Sequence, residues 1–149
     1  MGLFSSLMGS AAVPTLDKST AVMIPMVAAM TSDGDIDDDE IRQIRSICVW
    51  SPIYAHNSMD QDTDIILRAI RMIKDLGAEA MCVRAGELLS PALRETAFCF
   101  AVRLAFADGF VGTKEQDFVE RLMGWLAVDP ARAQHVVEVI TMMQHGLDA

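Results

Sequence analysis

Two short stretches hold the residue types that could do chemistry. The first is Asp33-Gly34-Asp35-Ile36-Asp37-Asp38-Asp39-Glu40, in which six of eight residues are acidic. The second, 75 residues later, is Asp108-Gly109-Phe110-Val111-Gly112-Thr113-Lys114-Glu115. Both contain an Asp-Gly pair, an aliphatic residue two after the glycine, and a glutamate four further on. Clustered carboxylate oxygens are hard donors, suited to a calcium- or magnesium-like divalent cation. The candidate ligands are Asp33, Asp35, Asp37 and Glu40 in the first stretch, and Asp108 and Glu115 in the second.

The nearest physical template is the EF-hand calcium loop. With Glu40 at its twelfth position, Asp33, Gly34, Ile36 and Asp37 fall at the fifth, sixth, eighth and ninth. The first and third positions are then Ala29 and Thr31, and in the second stretch Leu104 and Phe106. A complete EF-hand is excluded because the leading carboxylates are missing. Helix capping offers a metal-free account of part of the pattern. A glycine suits the left-handed residue after a helix, and Asp37 with Glu40 has capping-box spacing. Gly112 and Glu115 repeat that spacing with a weaker cap. Capping does not explain Asp33 and Asp108, each expected at a helix C-terminus, where a carboxylate meets the negative end of the dipole. A compensating cation, either a metal or a Lys or Arg, is expected there.

The rest of the chain must position these stretches. It has 149 residues, 52 % hydrophobic, with 9 glycines and 5 prolines. That suffices for one compact core. Abundant Ala, Leu, Met, Arg and Glu favour helix over strand, so the expected fold is all-α. Helices are expected from about Leu16 to Ser32, Asp37 to Trp50, Asp60 to Leu76 and Ala78 to Leu89. Three more are expected from Pro91 to Ala107, Thr113 to Leu126 and Pro130 to Gln144. Pro25 should kink or split the first. The stretch from Ala97 to Ala107 should form a central buried helix, and Val136, Val139, Ile140 and Met143 should face inward. At the 75-residue offset Val27 matches Val102, Trp50 matches Trp125, and Ile36, Ile44 and Ile47 match Val111, Val119 and Leu122. The chain therefore reads as two pseudo-symmetric halves, each helix, acidic loop, helix and a further helix.

The charge of -9 and pI near 4.6 disfavour nucleic acid, whose phosphates such a surface repels. No apolar run reaches the ~18 residues of a membrane span. Residues 1–15 form an apolar lead-in that fits the Met-Gly-x-x-x-Ser myristoylation pattern, with Ser6 in place, and is expected to dock on the body or on a partner. Cys48, Cys82 and Cys99 read as buried reduced thiols of a cytoplasmic protein. His56, His135 and His145 are scattered and read as surface residues. The 11 methionines read as core filler. Met123, Met142 and Met143, with Trp50 and Trp125, are the alternative lining of a partner surface.

The doubled Asp-Gly-x-Ile/Val-x-x-x-Glu pattern, each copy after an Ala-rich helix, resembles the TerB-like tellurite-resistance proteins. Ala105-Phe106-Ala107-Asp108-Gly109-Phe110-Val111 carries most of the likeness, with Ala28-Ala29-Met30-Thr31-Ser32-Asp33-Gly34. It spans about residues 16 to 145. The resemblance implies about seven helices, divalent-cation binding at Asp33, Glu40, Asp108 and Glu115, and no catalytic activity. It also implies a sensing or scaffold role in tellurite and other stress, with protein partners at the membrane periphery. Asp35 and Asp37 are additions of this chain, whereas Phe110 and Gly112 replace acids in the second loop and put equal affinity of the two loops in question. The rival readings are a metal-free adaptor docking a basic partner on its acidic face and, more remotely, a metal-dependent hydrolase. A homo-oligomer is left open.

Overall fold

A computed structural model describes residues 15–32 and 34–149. The lead-in is thus outside the described residues except for Thr15, and so is Asp33. The described residues form seven α-helices: α1 (Lys18–Met30), α2 (Asp38–Trp50), α3 (Met59–Leu76), α4 (Ala78–Leu88), α5 (Pro91–Ala105), α6 (Thr113–Trp125) and α7 (Pro130–Met143). The all-α expectation holds.

The helix starts follow from local hydrogen bonding. Asp17, Asp37, Ser58, Ser90 and Asp129 each accept a backbone N–H of the first turn. This satisfies donors that a helix cannot satisfy internally. Proline follows the cap in α5 and α7, where its missing N–H costs nothing. Gly77 ends α3 as expected. Other ends differ by a residue or two: α1 stops at Met30 because Thr31 turns extended, with φ −153°, and α5 stops at Ala105.

α1 and α5 are the central pair and make the most extensive contact. α3 and α4 cover α1, α7 covers α5, α6 rests on α4 and α5, and α2 closes the side against α3, α1 and α5. Both central helices had to be apolar on most sides for this arrangement. Every residue from Thr20 to Ala28 is buried, and in α5 so are Ala97, Phe98, Phe100, Ala101, Val102 and Leu104. Each fully buried Ile or Phe contributes about 1.5–3 kcal/mol. α1 runs unbroken through Pro25, so of the kink or split expected there the split does not occur. One absent backbone bond is outweighed by the surface this helix buries.

Tyr54, itself buried, ties the connector after α2 to the start of α1 by donating its hydroxyl to the Ser19 carbonyl at 2.7 Å. The inward stripe expected on α7 is only half realised. Ile140 is buried and Val136 half-buried, but Val139 and Met143 are more than half exposed. α5 is the main neighbour of α7, and it covers only part of the stripe.

Candidate metal centre: the two acidic loops

In the first loop, Thr31 ends α1 by donating its N–H to the Val27 carbonyl, at 3.0 Å. Its hydroxyl oxygen then accepts the N–H of Gly34, at 3.1 Å. Gly34 has φ +91°, a left-handed conformation that L side chains disfavour. Asp37 caps α2 with a full capping box: its carboxylate accepts the Glu40 N–H at 2.8 Å, and Glu40 accepts the Asp37 N–H at 3.1 Å. Asp38, Asp39 and Glu40 occupy the first turn, where the helix dipole favours negative charge. Asp39 pairs with Arg42 at 2.7 Å. Ile36 is half-buried and packs on the core.

These elements enclose a shallow hollow of about 520 Å³, lined by Gly34, Asp35, Asp37, Glu40 and Lys74 together with aliphatic residues. The fold thus brings three of the four expected first-loop acids around one space. Lys74, near the end of α3, places its ammonium 3.8 Å from Asp35 Oδ1.

The second loop repeats the backbone device. Gly109 has φ +78° and donates its N–H to the Phe106 carbonyl at 3.0 Å. Glu115 accepts the Gly112 N–H at 3.0 Å. Glycine has no side chain to return that bond, so the capping box is one-sided. Asp108 Oδ1 accepts the Phe110 N–H at 3.0 Å, a local turn bond that gives this carboxylate a partner without any cation. The two acids also face apart. Asp108 lines a groove of about 470 Å³ between α2, α5 and α7, whereas Glu115 lines a cleft of about 610 Å³ between α1 and α6.

As a donor set, the first loop fits a hard divalent ion in type: carboxylate oxygens and backbone carbonyls, with no thiol or imidazole. Asp37 and Glu40 each commit one carboxylate oxygen to the capping box, and a carboxylate has a second to offer. The second loop fits less well, with two acids turned to different hollows. Among the described residues no three His, Cys, Asp or Glu side chains converge in a group able to hold an ion.

Other groups lie elsewhere. The three histidines are exposed. Cys48 and Cys82 are buried, and burial pushes each thiol up to about 12. Cys99 is half-buried and also raised, chiefly by burial. Trp50 and Trp125, equivalent in the repeat, differ in setting. Trp50 is 59 % exposed and meets Phe100 of α5 edge-on at 5.7 Å. Trp125 is half-buried and meets Phe118 of its own helix at 6.5 Å. Lys74 and Gln144, which meet the first and second loops respectively, were missed by sequence reasoning. Their partners lie more than thirty residues away, and no local spacing marks them.

An all-helical domain whose two halves each carry an Asp-Gly loop and a glutamate-capped helix defines the class. The chain belongs to the family described as "Tellurite resistance protein TerB", which it matches over residues 19–137. No curated protein and no solved structure matches it. Among the described residues no helix is long and apolar enough to cross a membrane.

Proposed function

We propose that this chain is a non-catalytic helical domain of tellurite or stress resistance that binds a divalent cation through its acidic loops. It acts as a sensing or scaffold component, cytoplasmic or peripheral to a membrane, with protein partners. The observation that supports cation binding is the doubled loop. Both copies use a positive-φ glycine after a central helix and a glutamate on the next helix start, and both keep acids around that turn. The ligands would be Asp33, Asp35, Asp37 and Glu40, and more weakly Asp108 and Glu115, holding a calcium- or magnesium-like ion.

The metal-free adaptor is favoured by one specific observation: Asp37, Glu40, Asp108 and Glu115 all accept backbone N–H groups. A thermal melt after chelation, titrated with calcium, magnesium, manganese and zinc, separates the two. An ion at 100 times its dissociation constant adds about 2.7 kcal/mol. Asp33→Asn and Asp108→Asn should each reduce that gain. A midpoint that no ion moves in the unmodified protein overturns cation binding and leaves the adaptor.

A further inference from the structure

The first loop already has a cation laid against it, and the contact is steric as well as electrostatic. α3 is 18 residues long, and its last turn carries Lys74 past Gly34. The methylenes of Lys74 lie across the glycine: a Cβ there would overlap Lys74 Cγ and stand 2.9 Å from Cε and 3.1 Å from Cδ. The arm is thereby held on the loop, and its ammonium reaches to 3.8 Å from Asp35 Oδ1. Lys74 also lines the hollow that Asp35, Asp37 and Glu40 share.

Among the described residues no side chain lies across Gly109 in this way, although Arg103 lines the groove of Asp108 and Lys114 and Arg121 line the cleft of Glu115. The repeat counterpart of α3 is α7, which ends at Met143, short of the position equivalent to Lys74. A Cβ on Gly109 would meet nothing within 4 Å. Gly34 therefore serves two needs, a positive φ and room for a lysine, while Gly109 serves only the first.

We propose that Lys74 is a tethered counter-cation that competes with a divalent ion for the first loop, an arm with no counterpart across Gly109. The proposal rests on the cation-binding function above. An ion entering the hollow must share Asp35 with the ammonium or displace it. Asp35 and Lys74 are 86 % and 52 % exposed, so water screens the pair. Competition of that strength corresponds to an affinity change of about two- to fivefold.

Calorimetric titration of the full chain with calcium and with magnesium tests this, using an Asp108→Asn background so that the first loop reports. Lys74→Met keeps an apolar arm without the charge, Lys74→Gln is a second neutral variant, and Lys74→Arg keeps the charge. Both neutral variants should tighten first-loop binding by about two- to fivefold, and Lys74→Arg should match the parent. Added ion should also speed acetylation of Lys74, read by mass spectrometry. Equal ion binding in parent and neutral variants overturns the competition and leaves the cation function standing. The same gain at the second loop, read in a Glu40→Gln background, would mean a net-charge effect and also overturn it. Ion binding by no variant, nor by the unmodified chain, removes the function and the competition together.

Discussion

Gln144, just past the end of α7, donates its side-chain amide to the backbone carbonyl of Phe106 across 38 residues of sequence. Phe106 is the C-cap of α5, and its carbonyl also accepts the Gly109 N–H. The last helix therefore fastens the second acidic loop. Replacing Gln144 with Ala removes a part-buried bond and should cost about 1 kcal/mol. Chemical denaturation should show that loss, and hydrogen exchange at Gly109 should speed up. Unchanged exchange there would mean the loop holds itself.

The two loop glycines should respond differently to a methyl group. Gly109→Ala has open space and carries only the strain of φ +78°, roughly 1–2 kcal/mol. Gly34→Ala adds to a φ of +91° a collision with Lys74. It should be the more damaging of the two in urea melts, and pairing it with Lys74→Ala should recover part of the difference.

Thiol chemistry should follow burial. Cys48 and Cys82, with thiols pushed up to about 12, should resist a disulfide reagent at pH 8 in the folded chain, and half-buried Cys99 should react first. Mass spectrometry of partially labelled protein reads the order. The pH consequence has a definite sign. A thiol raised in the folded state contributes stability that is complete below its unfolded value, near 8.5–9, and is lost as pH rises toward 12. Melting midpoints should fall across that window.

At the acid end, Arg132 forks onto Glu95 with two bonds of 3.0 Å. These bonds hold the Glu95 carboxyl below its ordinary range. A lowered carboxylate contributes above its unfolded value, near 4.3, and the contribution vanishes as pH falls through the lower folded one. Melts of Glu95→Gln and the unmodified chain should differ slightly at pH 7 and converge toward pH 3. A gap that persists at pH 3 would assign the pair a packing role instead.

Much of the architecture was legible along the chain because its causes are local. The cap at Asp37, the prolines at 91 and 130 and the stop at Gly77 act within one turn. Apolar stripes such as Ile65, Ile66, Ala69, Ile70 and Ile73 repeat with the helix period, and all five are buried. The doubled Asp-Gly pattern marked both loops, and the TerB family match agrees with the resemblance those residues carry. What needed tertiary structure depends on which helices become neighbours. Val139 and Met143 belong to an inward-looking stripe, yet stay exposed because α5, the main neighbour of α7, covers only part of it. Pro25, a helix breaker in isolation, sits within an unbroken helix whose burial outweighs one lost bond. Asp108 and Glu115 share a motif but line different hollows, and Asp108 has a partner in the Phe110 N–H that the motif did not reveal. Lys74 meets Asp35, and Gln144 meets Phe106, only through the packing of α3 and α7. A hydrogen-bonding pattern that closes within four residues can be read in sequence order, whereas a contact across some 38 is decided by the core between its ends.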